Sequence, residues 1–397
     1  MTRPSVLAIA LGAPPGWYAA LAPGEWTDMP HSVLATPAFV AEVGGFPGKA
    51  WPSGIMHYSG AALARRGVWA RGTFVAGIFL VFFGHGHAAG WGNEVLAYGP
   101  LDRARPGWHI ISPGSPAWDH TTLGGRREGY PIGRHAYNTN FWDRSRNRLV
   151  ALLACAANVG GHDSKYVDPR LTDQLPLGVS AYDKNRWISG PDPTELTGVV
   201  TSAAAYYDPS LDAAFTINGT PAKRAKLDLA KQSWSYVPAQ AADKALYPGE
   251  GGCAVDPTRH IGVTRTYYDT GHLTLGVWKL DRWDAVDATW EVSTEGVRPP
   301  KSGAYDPVRS SITYDESKDR FLYWTNADEE YVYPVIPSQD LKTPWTVGDR
   351  IGGRGWKRHN GYRSAGVYNR FTFTPQPVEG VVMAIDAESA VKFLKLG

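Results

Sequence analysis

The stretch ITYDESKDRFLYWTN, residues 312–326, indicates how this chain folds. Two runs of β-branched and aromatic residues flank a polar turn that contains Asp315, which is the pattern of a β-hairpin. The same form recurs in NTNFWDRSRNRLVALLA (138–154), AAAYYDPSLDAAFTING (203–219) and CAVDPTRHIGVTRTY (253–267). Because an aspartate carboxylate accepts backbone N–H groups in such a turn, the recurrence predicts hairpins that are all closed in the same way.

A tryptophan-bearing segment accompanies these hairpins. Trp187, Trp234, Trp290 and Trp345 follow one another at intervals of 47, 56 and 55 residues, whereas Trp108 precedes Trp187 by 79, which indicates an insertion. A period of this size with four short strands per unit is typical of a β-propeller. A tryptophan on each outer strand is large enough to seal the gap between neighbouring blades. This structural role is predicted for Trp26, Trp108, Trp187, Trp234, Trp290 and Trp345.

The repeats divide the chain into an N-terminal arm, 1–16, and a single β-propeller, 17–397. The predicted fold is all-β, with six four-stranded blades in a ring that is closed by pairing of the N-terminal and C-terminal segments. The last blade has no tryptophan strand, and GEWTDMP at 24–30 is predicted to supply it. Seven blades are the alternative if 113–133 or 349–360 holds a further unit. The blades are predicted at approximately 55–112, 134–190, 198–238, 250–293, 302–348, and 361–397 with 24–30.

The composition argues against several function classes. The 40 basic and 38 acidic residues nearly balance, so the chain has no field that would favour nucleic acid as its partner. The longest apolar run, GIFLVFFG at 77–84, is far shorter than the roughly 20 residues of a membrane-spanning helix, and no signal peptide is recognised at the N-terminus. Cys155 and Cys253 lack metal-ligand spacing; two buried thiols are favoured, with a disulfide between blades as the alternative.

Three segments carry a resemblance to a known family. YSGAALARRG (58–67), FLVFFGHGHAAGWGNEVLAYGPLD (79–102) and RHAYN (134–138) resemble kelch-like β-propellers of the galactose-oxidase type, and are similar to uncharacterised kelch-like proteins of bacteria and bacteriophages. The chain departs from the kelch pattern because GHGH at 84–87 replaces the glycine pair. The resemblance implies the fold but leaves the activity open, since one fold carries many functions.

A polar cluster at the expected channel mouth is the candidate binding site. It comprises His57, His85, His87, Asn93, Glu94, Arg134, His135 and Tyr137. His85, His87 and His135 would suit zinc or copper if they met, but glycine-flanked histidines in loops also satisfy backbone groups, and that structural use is favoured. No metal, cofactor or catalytic residue is therefore predicted, and the copper ligands of galactose-oxidase-type enzymes are not carried over because neither cysteine has a matching context.

The leading hypothesis is a non-catalytic structural or binding β-propeller. The phage resemblance favours a bacteriophage virion protein, a head decoration or tail component, that presents loops to other virion proteins or to a cell-surface glycan. Residues 1–16 would attach it, with 6–11 adding to a neighbour's sheet edge. One alternative is a carbohydrate-active or oxidase-like enzyme acting at the channel mouth. The other is a kelch-like interaction protein of the bacterial cytoplasm.

Overall fold

The protein is all-β over the residues that the structure describes, in agreement with the sequence prediction. A computed structural model describes residues 13–34, 60–83, 95–112, 138–152, 180–183, 186–191, 204–218, 222–246, 251–266, 273–299, 310–357, 367–385 and 389–397. The helices within these ranges are one α-helical turn, Gly16–Ala19, and the 3-10 helices Ala241–Leu246, Leu280–Arg282 and Tyr368–Arg370. None of the described helices has the length and apolar character needed to cross a membrane.

The first half of the chain forms three antiparallel four-stranded sheets, after a first strand β1 (Trp26–Asp28) that belongs to the last sheet. Sheet 1 contains β2 (Gly60–Ala64), β5 (Phe79–Phe83), β6 (Val95–Gly99) and β7 (Gly107–Ser112), with the separate hairpin β3 (Gly67–Ala70) and β4 (Thr73–Ala76) inserted after β2. Sheet 2 contains β8 (Asn140–Asp143), β9 (Arg148–Ala151), β10 (Ser180–Asp183) and β11 (Arg186–Ser189). Sheet 3 contains β12 (Tyr206–Asp208), β13 (Ala213–Asn218), β14 (Lys223–Asp228) and β15 (Ser233–Pro238).

The second half forms three more groups of strands, which we also number as sheets, although sheets 4 and 5 are joined at their outer strands into one nine-stranded sheet. Sheet 4 contains β16 (Cys253–Asp256), β17 (Ile261–Arg265), β18 (Thr274–Lys279) and β19 (Thr289–Gly296). Sheet 5 contains β20 (Ser311–Asp315), β21 (Arg320–Trp324), β22 (Tyr331–Ile336), β23 (Trp345–Val347) and the short β24 (Ile351–Gly352). Sheet 6 contains β25 (Phe371–Thr374), β26 (Gly380–Met383) and β27 (Lys392–Lys395), and β1 pairs with β27 so that Trp26 lies opposite Leu394.

Buried aspartates close the first hairpin of sheets 2 to 5, which confirms the predicted turn chemistry at those four positions. In each turn one carboxylate oxygen accepts a backbone N–H group two or three residues further along, at 2.8–3.1 Å. The residue directly before the second strand of each hairpin has a left-handed backbone, with φ between 47° and 53°. The four aspartates are Asp143, Asp208, Asp256 and Asp315, and the four left-handed residues are Asn147, Asp212, His260 and Asp319.

The apolar core lies in layers between consecutive sheets. Phe82 of sheet 1 and Phe393 of sheet 6 belong to one layer, whereas Phe79 of sheet 1 and Trp142 of sheet 2 belong to the next. Comparable layers lie between sheets 2 and 3, 3 and 4, 4 and 5, and 5 and 6. Since strand side chains alternate between two faces, each sheet buries one face against each neighbour. Burial of one large apolar side chain contributes about 2 kcal/mol, so these layers are the main source of stability.

The first strands of the six described sheets surround a common axis. They contact one another in the order β2, β8, β12, β16, β20 and β25, and β25 also contacts β2. The outer strands of sheets 4 and 5 are also hydrogen-bonded to each other: β19 pairs in parallel with β23, and Thr294 lies opposite Trp345. The hairpin β3–β4 was not predicted; its Trp69 and Phe74 rings pack 5.5 Å apart. The result is a propeller-type arrangement of sheets around a central channel.

Candidate binding site in the central channel

The six inner strands enclose a cavity of about 160 Å³. Every described residue that lines the cavity belongs to one of these strands or lies within two residues of one. In the described sheets each inner strand is paired on one side only, so the other backbone edge faces the cavity. Asn138 and Ala204, which precede β8 and β12, form a parallel bridge. The inner strands therefore begin at one end of the channel and finish at the other, and the two ends have different chemistry.

The end where the strands begin carries neutral amides, and we call it the amide mouth (Asn138, Asn140, Cys253 and Asn369). Asn140 Nδ2 donates hydrogen bonds to the carbonyl oxygens of Phe83, at 2.8 Å, and Gly60, at 3.3 Å, both in sheet 1. Asn369, ahead of β25, donates through Nδ2 to the carbonyl of Asn138 at 3.4 Å, and its Oδ1 accepts the N–H of Cys253 at 3.5 Å. One side chain thus reaches from sheet 6 to sheets 2 and 4.

Cys253 contributes a neutral thiol to the amide mouth. Its side chain is buried, and this burial raises the pKa of the thiol to about 12, although a contact with Asn369 opposes the shift. The Sγ atom lies 3.8 Å from Asn369 Oδ1 and 3.9 Å from the carbonyl oxygen of Ala205. Among the described residues Cys253 is unpaired. Cys155 lies outside them, so the predicted alternatives for the two cysteines stay open.

The opposite end carries charge, and we call it the turn mouth (Arg65, Arg144, Tyr207, Tyr314 and Glu316). Arg65 and Glu316 form an ion pair, and Arg144 Nη1 lies 3.8 Å from Glu316 Oε2. Arg65 follows β2, Arg144 follows β8 and Glu316 follows β20, so a carboxylate of sheet 5 faces two guanidinium groups of sheets 1 and 2 across the channel. Between 23% and 39% of these side-chain surfaces is exposed, so solvent reaches the cluster.

Two positive charges at the turn mouth face one negative charge. Burial and the neighbouring Arg65 charge lower the pKa of Arg144 to about 10, while Glu316 acts in the opposite direction. Arg144 therefore remains protonated at neutral pH. Tyr207 is neutral there, because burial raises the pKa of its hydroxyl to about 12, and this hydroxyl accepts the backbone N–H of Arg144 at 3.0 Å. The cluster carries a surplus of one positive charge.

Other arginines around the same face have carboxylates of their own. Arg146 of sheet 2 makes two 2.8 Å hydrogen bonds to Asp212 of sheet 3, a bidentate pair. Arg320 donates to the buried Asp315 at 2.8 Å. Arg259 lies 2.6 Å from Asp256. These pairs fix the turns and link sheets, whereas Arg144 has no hydrogen-bond acceptor for its guanidinium among the described residues.

The histidine cluster predicted from the sequence lies outside the described residues. It comprises His57, His85, His87, Asn93, Glu94, Arg134, His135 and Tyr137. Its role at a channel mouth stays a prediction. Within the described ranges, no His, Cys, Asp and Glu side chains are grouped in a way that would hold a metal ion.

The tryptophans predicted to seal the blades lie on the outer strands, and the indole N–H groups of five of them donate hydrogen bonds to backbone carbonyls. Trp26 donates to Glu330 at 2.7 Å, and Trp290 donates to Leu341 at 3.0 Å, both in sheet 5. Trp108, Trp234 and Trp345 donate to Ser32, Pro191 and Leu341 at 2.9, 2.9 and 3.3 Å. Trp187 lies on β11. The sealing role of all six stays a prediction.

The turn-mouth residues were not singled out by the sequence analysis, although the repeats contain a signal for two of them. Arg144 and Glu316 each directly follow the turn aspartate of their repeat, in WDRS and YDES. The equivalent residue of sheet 4, Pro257, also lines the cavity. Aligning the repeats on their aspartates would have placed these positions at one mouth. Arg65 has no such signal, because sheet 1 lacks the aspartate.

The comparisons with known proteins are limited to distant structural similarity. No protein-family model and no curated protein matches the chain. Mala s 1, the major allergen of Malassezia sympodialis, is 11% identical with a TM-score of 0.44, covering 86% of this chain and 93% of that one. Sqt1 of Saccharomyces cerevisiae is 9% identical with a TM-score of 0.39, covering 80% and 69%. A chain of a nidogen–laminin complex is 9% identical with a TM-score of 0.37, covering 75% and 86%. The kelch-like resemblance stays a prediction from the sequence.

Proposed function

We propose that the protein is a six-bladed β-propeller that binds a partner without transforming it, and that the turn mouth is its binding end. The ring is complete in this proposal, with β1 supplying the outer strand of the sixth blade. The pairing of β1 with β27 and the apolar layers between consecutive sheets support that closure. A closed ring is rigid and holds the residues around its channel in fixed positions, which favours binding.

One observation carries the choice of the turn mouth. At that end three charged side chains from three sheets meet across the channel within reach of solvent. At the other end the amide groups of Asn140 and Asn369 are buried or half-buried and donate to backbone carbonyls, although Asn138 Oδ1 and Asn140 Oδ1 have no partner among the described residues. Exposed charges that are not fully paired can exchange partners, whereas a buried amide network resists disruption. The turn mouth is therefore the end at which a partner gains contacts without breaking the fold.

The experiment is a thermal-shift screen of the purified full chain against organic acids, amines, oligosaccharides and short peptides. Compounds that bind should raise the melting temperature, because a ligand that binds only the folded state stabilises it. Each compound that does so is then incubated with the protein and analysed by mass spectrometry. The proposal expects recovery of the unchanged compound and loss of the shift in the double variant Arg144→Gln/Glu316→Gln.

The matched control is Arg259→Gln, on the same face but away from the cavity lining. Its thermal shifts should equal those of the unsubstituted protein. Conversion of a compound into a product would overturn the non-catalytic assignment. Shifts that survive in the double variant would overturn the assignment of the binding end.

The virion role rests on the phage resemblance of the sequence. Under that hypothesis the arm within 1–16 attaches the propeller to a neighbouring subunit and the turn mouth faces outward. Deleting residues 1–12, which leaves all described residues in place, should keep the fold and abolish incorporation into particles. Normal incorporation of the shortened chain would contradict the attachment role.

A further inference from the structure

We propose that the turn mouth is a carboxylate-binding site, in which Arg65 and Arg144 bind the acidic group of a ligand and Glu316 acts as a built-in competitor. This inference rests on the proposed function, because it assigns a ligand class to the same end of the channel. The acidic group can belong to a small organic acid or to an acidic peptide, and the experiment below distinguishes these two sources.

Unused hydrogen-bond donors are the first argument. The Nε atom of Arg65 is buried and has no acceptor among the described residues. The guanidinium of Arg144 approaches Glu316 only to 3.8 Å, beyond hydrogen-bond distance. A guanidinium group presents five N–H donors in a planar fork that matches the two oxygens of a carboxylate. Arg144 therefore retains accessible donors that one further carboxylate would satisfy, whereas Arg65 Nε is too deeply buried for a ligand to contact and Arg65 can bind only through its terminal nitrogens.

The contrast with neighbouring arginines is the second argument. Arg146 has the carboxylate of Asp212 at 2.8 Å and Arg320 has that of Asp315 at 2.8 Å, although Arg320 Nη2 is buried without a partner among the described residues. Arg65 and Arg144 share a single glutamate that reaches across the channel from sheet 5. A shared carboxylate leaves one positive charge uncompensated, and burial among protein atoms strengthens its attraction for an anion. The same desolvation destabilises the charged form of Arg144 in the absence of a ligand.

The cavity behind the cluster is the third argument. It has a volume of about 160 Å³ and extends from the turn mouth to the level of Asn369. Its wall includes the apolar Ala61 and Ala62 as well as the hydroxyl-bearing Thr313. Free backbone edges of the inner strands line it too. A short chain attached to the carboxylate therefore has space below the arginines and polar groups to contact.

Glu316 occupies the position of the ligand carboxylate when none is bound. Because it has the same functional group, an incoming acid must compete with it for Arg65. Replacing Glu316 by glutamine removes the competing charge while keeping the shape of the side chain. The proposal therefore makes an unusual prediction: a substitution within the binding site should tighten binding.

Isothermal titration calorimetry with the full chain is the test. The probes are glutarate, its neutral counterpart glutaramide, tetraglutamate peptide and inorganic phosphate. We expect glutarate or tetraglutamate to bind, Glu316→Gln to tighten that binding by about tenfold, and Arg144→Gln to weaken it by about tenfold or more. Binding of glutarate would assign a small acid, and binding of the peptide alone would assign an acidic segment of a protein.

Two matched controls separate this site from general surface charge. Glu379→Gln removes a carboxylate that also lies on this face, hydrogen-bonded to Ser317, and Arg259→Gln removes an arginine outside the cavity. Both should leave the dissociation constant unchanged. All four variants should show the circular dichroism spectrum of the unsubstituted protein.

Several results would overturn the carboxylate assignment. One is binding of glutaramide as tight as that of glutarate, and another is tighter binding of phosphate than of glutarate. The others are an unchanged or weaker affinity of Glu316→Gln for the acid, and no binding of any probe to the unsubstituted protein or to Glu316→Gln. The proposed function is judged separately, since a neutral ligand whose thermal shift is lost in Arg144→Gln/Glu316→Gln would sustain a binding turn mouth while removing the carboxylate site.

Discussion

The two ends of the channel are built from the same six strands, yet one carries buried neutral amides and the other carries charged side chains that solvent reaches. At the amide mouth, the neutral side chains of Asn140 and Asn369 donate hydrogen bonds to backbone carbonyls of other sheets. At the turn mouth, Arg65, Arg144 and Glu316 meet in a solvent-accessible cluster with a surplus positive charge. The comparison indicates that one end supports the ring and the other is available to a partner.

The physical basis of this difference is the environment in which each hydrogen bond forms. A buried amide that loses its partner is left without water to replace it, whereas an exposed ion pair exchanges its partner for solvent at little cost. Substitutions at the amide mouth should therefore change stability, and conservative substitutions at the turn mouth should change binding. The following predictions test that division, from the largest expected effect to the smallest.

Trp26→Ala tests how much the closing strand β1 contributes to the stability of the ring on which both mouths depend. Trp26 is only 2% exposed, lies on β1 and donates to Glu330 of sheet 5. Removing a buried tryptophan side chain leaves a cavity and should lower the free energy of unfolding by about 4 kcal/mol. Urea denaturation monitored by circular dichroism measures the change. The matched variant Trp234→Ala, at a half-buried tryptophan away from β1, should lose clearly less; equal losses would argue against a special role for the closing strand.

Asn140→Ala should break the amide mouth. The substitution leaves the carbonyl oxygens of Phe83 and Gly60 without the donor that they share, in a site where Asn140 is 1% exposed. We expect a loss of about 2 kcal/mol in the free energy of unfolding, measured by the same denaturation. Glu316→Gln at the turn mouth is the comparison and should change it by less than about 0.5 kcal/mol. If the glutamine variant lost as much, the turn mouth would also be structural.

Cys253 should make the amide mouth sensitive to alkaline pH. Its pKa in the folded protein, about 12, lies above the ordinary value of 9.0. A raised pKa contributes stability that is fully present below pH 9 and is lost as the pH rises toward 12. At pH 10 the loss should be about 1 kcal/mol. Free energies of unfolding at pH 8 and pH 10, compared with those of Cys253→Ala, isolate this contribution; identical pH dependence in both proteins would contradict it.

Asp212 should make the stability of the protein sensitive to acid, whereas Cys253 makes it sensitive to alkali. Hydrogen bonding from Arg146 holds the pKa of the Asp212 carboxyl below its usual range. A lowered pKa contributes stability that is present above the ordinary value, near 4, and is lost as the pH falls through the folded value. The carboxylate is 32% exposed, so Asp212→Asn should lower the free energy of unfolding by less than about 0.5 kcal/mol at pH 7. The difference from the unsubstituted protein should vanish once the pH lies below the lowered pKa of the folded state, and a difference that persisted in strong acid would assign it to packing.

The sequence allowed prediction of elements whose causes are local. The turn aspartates, such as Asp208 and Asp256, accept N–H groups only two or three residues away, so their chemistry is readable in a short segment. Alternating apolar residues with a tryptophan near each repeat's end predicted the sheets for the same reason. The hairpin β3–β4 escaped prediction because it interrupts the repeat between two strands that pair with each other, β2 and β5.

The candidate site was not predictable in this way. Arg65, Arg144 and Glu316 are separated by 79 and 172 residues, and no local pattern relates them. The histidine-rich segment at 84–87 was predicted as part of the site instead, because closely spaced histidines are a local pattern. Comparing the residue after each turn aspartate would have drawn attention to Arg144 and Glu316.

By itself the sequence determined the all-β character, the repeated hairpins and the chemistry of their turns, because these depend on hydrogen bonds and side-chain alternation over a few residues. The tertiary structure alone decided which side chains meet in the channel and which end of it carries charge. A ring brings together the corresponding ends of strands that are distant in the chain, so Glu316 of sheet 5 faces Arg65 and Arg144 only after the sheets have packed.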